Sequence, residues 1–159
     1  FAHHPTAIAT TLEGLRRHAE RREHCLPDPE TARVEEAGTA LTASTTGTVS
    51  GRGTGRILAI LEPRSNTMRL GVHNATLAAS LSLAHRIFVY APPDLGWDAA
   101  QVFAPLGERA TVFSRVEDII DRVAREARRS DQVLVMSNGG FQGIHERLLA
   151  ALAAAGPAG

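Results

Sequence analysis

Three short segments of the sequence carry side chains whose types could bind a ligand. Residues 62–69 hold two arginines separated by hydroxyl and amide side chains, residues 91–97 hold two prolines and a glycine, and residues 137–140 end in a glycine pair. Guanidinium groups pair with carboxylates, and amide and hydroxyl groups form hydrogen bonds with peptide groups. A glycine pair lets a ligand approach the backbone closely. If the three segments lie together, they can bind a molecule that carries both carboxylates and peptide bonds.

Each segment also has an ordinary structural interpretation. Proline and glycine are common in loops, Asn138 followed by Gly139 is a frequent turn, and an exposed arginine is usually only a solvated charge. Both interpretations stay open for each segment taken singly, whereas convergence of the three at one place favours a ligand site. No Ser-His-Asp or Cys-His catalytic set can be identified from spacing, and Cys25 beside His24 lacks the paired spacing of a zinc site. We therefore predict no catalytic residue and no metal ligand in this chain.

The composition limits the class of protein. The 159 residues, 43% of them hydrophobic, fit one domain, and 17 basic residues balance 17 acidic ones. This balance disfavours a nucleic-acid or anionic-membrane partner, since neither would be attracted by a long-range field. No run approaches the roughly 20 apolar residues of a membrane helix, and the N-terminus lacks a secretory pattern, so we expect a soluble, cytoplasmic protein. Every basic residue other than histidine is arginine, which excludes a phosphate-binding P-loop with its lysine.

Apolar segments alternate with helical patterns along most of the chain. They predict strands at residues 57–61, 86–90, 110–113 and 133–136, helices at 75–84, 98–103 and 143–154, and a first helix that begins at Pro5. Ser114 followed by Glu117 predicts a capping box before a further helix. Residues 23–56, rich in threonine, serine and glycine, indicate a long insertion with at most a short strand or hairpin at residues 40–49.

Unbroken apolar strands that alternate with amphipathic helices are typical of a parallel sheet covered on both faces. We therefore predict an α/β domain of three layers with right-handed crossovers. In such a sheet the loops after the carboxyl ends of the strands share one edge, and ligands bind there. The three polar segments all follow predicted strands, so we expect them at that edge.

The first six residues, Phe-Ala-His-His-Pro-Thr, resemble the second half of the signature that opens the C-terminal domain of the Mur ligases. Residues 61–71, 90–93 and 137–141 are similar to the branch of this family that joins a murein tripeptide to UDP-N-acetylmuramate. The similarity extends from residue 1 to residue 152 apart from the insertion, with Arg69 in place of an expected lysine and Gln142 in place of an expected glycine. By this resemblance, residues 1–159 form a single Mur ligase C-terminal domain of a longer protein.

The resemblance implies a Rossmann-like domain with a mainly parallel sheet, which rotates onto a central ATPase domain. Closure would bring the incoming amine to an acyl phosphate of the muramyl carboxylate and exclude water, as a step of peptidoglycan recycling. ATP and Mg2+ would serve the full-length enzyme, and neither is expected on this domain, which should be inactive by itself. Its partners would be UDP-N-acetylmuramate, the tripeptide L-alanyl-gamma-D-glutamyl-meso-diaminopimelate, and the N-terminal and central domains of the same chain.

The resemblance also assigns residues. His3 and His4 would lie on the nucleotide side, at the domain junction. The residues that would bind the tripeptide are Glu62, Arg64, Ser65, Asn66, Thr67, Arg69, Ser137, Asn138, Gly139 and Gly140. Within this set the arginines would pair with carboxylates, the asparagines would bond amides, and Glu62 would receive the ammonium group of the diaminopimelate.

Two alternatives stay open at this point. The ligase that adds L-alanine to the same nucleotide sugar begins its C-terminal domain with a similar His-His-Pro, but a single small amino acid needs fewer polar anchors than residues 62–69 provide. A stand-alone α/β binding module without catalysis would also explain the missing P-loop lysine and the lack of a catalytic set.

Overall fold

A four-stranded parallel sheet forms the middle layer of the fold. The computed structural model describes residues 4–24, 55–64, 68, 70–137 and 139–155. The strands are β1 (Ile57–Leu61), β2 (Arg86–Tyr90), β3 (Ala110–Phe113) and β4 (Gln132–Met136). Every pairing is parallel, and the spatial order is β3-β2-β1-β4. The predicted parallel sheet is confirmed, and each strand lies within one residue of its predicted bounds.

Helices cover both faces of this sheet. In chain order they are α1 (Pro5–His24), α2 (Asn74–Ser80), α3 (Ala99–Phe103), α4 (Val116–Glu126) and α5 (Ile144–Ala155), with 3-10 segments at Ala104–Arg109 and Phe141–Gly143. Side chains of α1, α2 and α3 share one core cluster on one face, and those of α4 and α5 share a second cluster on the other face. The three-layer α/β architecture is therefore confirmed.

The burial of the central strand β1 explains why an unbroken apolar run predicts a strand at these residues. Ile57, Ala59 and Leu61 pack towards α1, α2 and α3, while Leu58 and Ile60 pack towards α4 and α5. All five side chains are buried. A strand with helices on both faces needs apolar residues at every position, and a fully buried side chain of this kind contributes about 2 kcal/mol.

The strand order creates a switch point between β1 and β4. From β1 the chain moves outward on one side to β2 and β3, and it then returns to place β4 on the other side of β1. Crossovers in opposite directions leave a crevice beyond the carboxyl ends of the two strands at the switch. Glu62 follows β1 there and Ser137 follows β4, and the Glu62 amide donates to the Met136 carbonyl at 2.9 Å.

The predicted insertion meets the fold at two described ends. On one side α1 extends to His24. On the other side Gly55 and Arg56 are already packed against the turn that precedes β4, because a Cβ atom on Gly55 would lie 1.6 Å from the carbonyl oxygen of Ser130. Residues 25–54, including the predicted hairpin at 40–49, lie outside the described residues.

A bidentate ion pair fastens the start of β1 to the start of β4. Arg56 donates from Nη2 to Oδ2 of Asp131 at 2.6 Å and from Nε to Oδ1 at 3.2 Å. The Asp131 side chain is only 4% exposed. Burial raises the pKa of Asp131, but hydrogen bonds from Arg56 and Arg128 outweigh burial and hold this pKa below its ordinary value. The sequence contained no periodic signal for this pair, since its members lie 75 positions apart.

The predicted capping box at Ser114 and Glu117 is wrong. The residue at the N-cap of α4 is Arg115, and its side chain makes no capping hydrogen bond. Glu117 instead accepts a hydrogen bond from Arg147 of α5 at 2.8 Å, which lowers the pKa of Glu117. The carboxylate thus links two packed helices, and Ser114 does not stand at the N-cap.

The helix predicted at residues 75–84 is shorter in the structure. After Ser80 the amides of Leu81 and Ser82 bond to carbonyls three residues back, and this tightens the chain into turns before β2.

The first helix begins at Pro5 as predicted. Among the described residues, no helix combines the length and the apolar character that a bilayer crossing requires.

Candidate ligand-binding site

An open cleft lies beyond the carboxyl ends of β1 and β2, next to the switch point. Its volume is about 220 Å³. The lining residues are Glu62, Pro63, Arg64, Tyr90, Pro92, Asp94 and Gln142. Two carboxylates, one guanidinium, one phenol and one amide therefore face a single space, which is the combination needed to bind a ligand with both positive and negative groups.

A hydrogen-bond chain joins the segments after β1 and β4. The Ser137 hydroxyl donates to Oε2 of Glu62, and the Gly139 amide donates to the Ser137 oxygen at 3.1 Å. Glu62 is only 6% exposed. A largely buried carboxylate is stable only with partners, and here Ser137 provides one from the neighbouring strand end. The sequence predicted both residues for the site, and the structure brings them into direct contact.

Arg64 extends over Gly139. Its Nη1 lies 3.7 Å from Oε1 of Glu62, and its side chain remains 58% exposed. A contact of that length to a mostly exposed guanidinium is weak, so the guanidinium can still receive a carboxylate. A Cβ atom on Gly139 would lie 3.2 Å from Cδ and Nε of Arg64. Gly139 therefore provides the space in which Arg64 lies, whereas Gly140 has open space around it.

Tyr90 and Gln142 form the wall of the cleft on the β2 side. Gln142 Nε2 donates to the Tyr90 oxygen at 3.3 Å, and the Tyr90 ring lies 5.6 Å from the ring of buried Phe141. Phe141 and Gln142 both have positive φ, at 38° and 50°. The loop after β4 thus crosses the end of β1 and reaches β2 through two residues in a conformation that side chains rarely adopt.

The loop after β1 is braced at its far end by Trp97. The indole N–H donates to the Met68 carbonyl at 2.7 Å, and the Trp97 ring also packs near Phe103. Gly71 follows with φ at 71°, a conformation that glycine adopts without strain. A Cβ atom at Gly71 would meet the Asn74 amide at 2.8 Å. Two of the predicted polar segments, 62–69 and 91–97, are therefore physically linked.

His4 lies beside the turn that leads from this loop into α2. Its ring meets the ring of His73 edge to face, with centroids 4.5 Å apart, and its Nδ1 accepts a hydrogen bond from the Thr6 amide at 3.3 Å. The start of α1 therefore lies near the carboxyl edge of the sheet. His3 lies outside the described residues, and the assignment of both histidines to the nucleotide side stays a prediction.

The structure brings together part of the predicted site. Glu62, Arg64, Ser137 and Gly139 form one connected cluster, and Gly140 follows it with open space nearby. The other predicted residues, Ser65, Asn66, Thr67, Arg69 and Asn138, lie outside the described residues. Sequence reasoning placed residues 91–97 at this edge but did not select individual ligand-binding residues from them. It missed Pro92 and Asp94 within that segment, and Tyr90 and Gln142 outside it.

Metal binding was not predicted for this chain. Within the described parts of the chain, no group of three or more histidine, cysteine, aspartate or glutamate side chains is arranged to hold a metal ion.

Comparison with curated proteins shows which sequences resemble this chain. No protein-family profile matches it. It is 39% identical over 153 residues to the UDP-N-acetylmuramate–L-alanyl-gamma-D-glutamyl-meso-2,6-diaminoheptandioate ligase of Escherichia coli K12. It is 34% identical over 149 residues to the ligase of the same name from Haemophilus influenzae. The matches cover 96% and 94% of this chain, but the chain spans only 26% of each relative, in the C-terminal portion.

Two solved structures share the fold. A domain from Haemophilus ducreyi, assigned to the same kind of ligase, aligns with a TM-score of 0.63 at 33% identity and covers 96% of this chain and 86% of that chain. A murein peptide ligase from Psychrobacter arcticus aligns with a TM-score of 0.65 at 35% identity, again over 96% of this chain but over 26% of that chain. The Rossmann-like domain predicted from the sequence therefore agrees with these ligase structures.

Proposed function

This chain belongs to the murein peptide ligase family, and we propose that it is the acceptor-binding domain of an ATP-dependent ligase. The reaction would join UDP-N-acetylmuramate to the tripeptide L-alanyl-gamma-D-glutamyl-meso-diaminopimelate and so return murein peptide to peptidoglycan synthesis. The observation that carries the proposal is the mixed charge of the cleft, where an exposed guanidinium and a buried carboxylate lie 3.7 Å apart. The tripeptide carries carboxylates and ammonium groups that match both.

Arg64 is the residue that would bind a carboxylate of the tripeptide. Its planar guanidinium can form two parallel hydrogen bonds with one carboxylate, which fixes the direction of the bound group as well as its position. Gly139 supports this role because its missing side chain leaves the space that Arg64 occupies. By holding one end of the acceptor, Arg64 would orient the distant alanine amine for attack.

Glu62 would receive the ammonium group of the diaminopimelate. Its Oε2 already accepts from Ser137, and its Oε1 faces Arg64 at 3.7 Å. A bound ammonium would add a second cation beside a carboxylate that is largely withdrawn from water, where charge pairing is stronger than at the surface. Asp94, which lines the same cleft, adds to the negative side of the site.

The size of the cleft suggests that it holds one residue of the tripeptide. At about 220 Å³ it is smaller than the roughly 300–1,000 Å³ of pockets that enclose a drug-sized ligand. The diaminopimelate end would enter the cleft, and the other two residues would extend along the neighbouring loops. Ser65, Asn66, Thr67, Arg69, Asn138 and Gly140 remain the proposed contacts for those residues.

Other parts of the full-length protein would supply the nucleotide chemistry. ATP, with Mg2+, would provide the phosphoryl group that activates the muramyl carboxylate, and His3 and His4 would lie on the side of this domain that faces the nucleotide. The partners of this chain would be the N-terminal and central domains of the same protein. We place the reaction in the cytoplasm, where ATP is available, and expect the isolated domain to lack turnover.

The test is ATP-dependent phosphate release by the full-length protein with UDP-N-acetylmuramate as donor. The tripeptide and free L-alanine are compared as acceptors at matched concentrations, and the product is identified by mass. We expect turnover with the tripeptide and background release with L-alanine. Preference for L-alanine would assign the chain to the ligase that starts peptide synthesis, and release with neither acceptor would favour a non-catalytic binding module.

A further inference from the structure

Gln142, in the turn after β4, has a backbone conformation that packing does not explain. Phe141 and Gln142 both lie in the left-handed region, with φ of 38° and 50°, and Gly143 follows at 68°. Side chains disfavour this region, and glycine adopts it freely. Phe141 is fully buried against the α4 and α5 layer, so the core accounts for its side chain. Gln142 is exposed, and glycine would suit its backbone better.

The cleft accounts for the side chain of Gln142. Its amide lines the cleft and donates from Nε2 to the Tyr90 oxygen at 3.3 Å. A phenol oxygen that accepts a hydrogen bond can still donate its own hydrogen. The amide therefore orients Tyr90 so that its O–H is directed to an acceptor other than Gln142. Strain that is retained at a ligand cleft is a common sign of a functional side chain.

The donors of the cleft stand on its two sides. Arg64 lies over Gly139, on the β4 side, while Tyr90 ends β2 on the other side, and Glu62 lies between them after β1. Two parallel hydrogen bonds from Arg64 would leave a further lone pair on each oxygen of a bound carboxylate, and one oxygen would present it to the β2 side. That oxygen would accept from the Tyr90 hydroxyl, whereas a carboxamide would direct an N–H towards the same donating hydroxyl.

We propose that Gln142 is a specificity-determining residue that, through Tyr90, makes the cleft select an acceptor ending in a free carboxylate over its carboxamide. This inference rests on the proposed function, since it concerns the acceptor of that reaction. Tyr90 touches the ligand, and Gln142 acts as its positioning residue. The chemical class recognised is an amino acid end in which a carboxylate stands beside an ammonium group.

The experiment measures kcat/KM of the full-length protein for two acceptors. One is the tripeptide, and the other is the same tripeptide with the carboxyl group of the distal diaminopimelate centre converted to a carboxamide. The variants are Gln142→Gly, Tyr90→Phe and the double variant. Gln142→Asn serves as a matched control, because asparagine tolerates the left-handed conformation while its amide is one methylene shorter. Thermal unfolding of each variant is recorded in parallel.

We expect the wild type to have a higher kcat/KM for the carboxylate than for the carboxamide. In each single variant the ratio of these two kcat/KM values should fall about tenfold, as expected when a hydrogen bond to a charged group is removed. The double variant should lose no more than either single one, because the two side chains act as a unit. Gln142→Asn should behave as Gln142→Gly does, and Gln142→Gly should unfold at the same temperature as the wild type or higher.

Two results would overturn the proposal. If the wild type turns over the tripeptide and Gln142→Gly keeps the full carboxylate preference, Gln142 does not set specificity, and the proposed function stands. If the wild type shows no turnover with the tripeptide at all, the proposed function fails and this inference fails with it. The two failures are therefore distinguishable in the same assay.

Discussion

The hydroxyl of Ser137 donates a hydrogen bond to the carboxylate of Glu62, and this bond joins the ends of β4 and β1 at the switch point of the sheet. Glu62 is a largely buried acid at the edge of an open cleft, and burial of a polar group is costly unless hydrogen-bond partners are present. The Gly139 amide binds the same serine oxygen at 3.1 Å. One serine therefore organises both the carboxylate and the glycine loop of the candidate site.

Removal of that hydroxyl should reduce stability. Ser137→Ala takes a donor from a largely buried carboxylate and an acceptor from the Gly139 amide, and we expect a loss of about 2 kcal/mol in the free energy of unfolding. Urea unfolding of residues 1–159 measures this free energy. The separate domain is used because the matched Haemophilus ducreyi domain was crystallised as a separate domain. Ser137→Thr, which keeps the hydroxyl, is the matched control. Equal losses in both variants would mean that the hydrogen bond contributes little.

Arg64 should control affinity for the tripeptide in the full-length protein. Arg64→Ala removes the exposed guanidinium of the cleft, and we expect the Michaelis constant for the tripeptide to rise about tenfold or more with a smaller change in kcat. Arg125→Ala is the control, because Arg125 is exposed in the last turn of α4 and bonds only within that helix among the described residues. An unchanged Michaelis constant for Arg64→Ala would count against this placement of the ligand carboxylate.

The Asp131 ion pair should make stability depend on pH in the acid range. The pKa of Asp131 is lowered in the folded chain because its hydrogen bonds, from Arg56 first, outweigh the effect of burial. A depressed carboxyl pKa stabilises the fold above the ordinary value of about 3.9, and this contribution is lost as pH falls through the lower folded value. The unfolding free energy of the wild type should therefore decrease as the pH is lowered from about 5.

Asp131→Asn tests this assignment. The variant should be about 2 kcal/mol less stable at pH 7, because the buried charge pair with Arg56 is broken, and its acid loss should be shallower than that of the wild type. Urea unfolding at several pH values between 7 and 3 provides both quantities. Asp121→Asn, at an exposed position on α4, should have little effect at pH 7. If the unfolding free energy of Asp131→Asn decreased with acid as steeply as that of the wild type, the pH dependence would arise from other carboxylates.

Two glycines should respond in opposite ways to the same substitution. Gly55→Ala would place a Cβ atom 1.6 Å from the Ser130 carbonyl oxygen, so we expect a loss of about 3 kcal/mol. Gly14 lies exposed within α1 with open space around it, so Gly14→Ala should add about 0.5–1 kcal/mol through helix propensity. Thermal unfolding of both variants and of the wild type measures these two changes in stability. A stable Gly55→Ala protein would mean that β1 does not start against this turn.

Local pattern was sufficient to predict the sheet and most helices. β1 was recognisable because both of its faces are buried, and α4 because Val116, Ile119, Ile120 and Val123 repeat at helical spacing on its buried face. The capping box failed because α4 begins one residue later than the motif requires: Arg115 is the N-cap, so Glu117 is the second helical residue and not the third. The Glu117 carboxylate also bonds to Arg147, which lies 30 positions away. Local rules cannot contain that information.

The sequence by itself determined the parallel α/β class and the edge on which the polar segments meet. Both follow from short-range periodicity and from the rule that parallel strands share a carboxyl edge. The binding roles of Glu62, Arg64, Ser137 and Gly139 came from the family resemblance and stay predictions. Only the tertiary structure decided that Arg64 occupies the space left by Gly139 and that Gln142 reaches Tyr90. Those contacts depend on strand order and on a backbone conformation that side chains disfavour, and neither is encoded in local spacing.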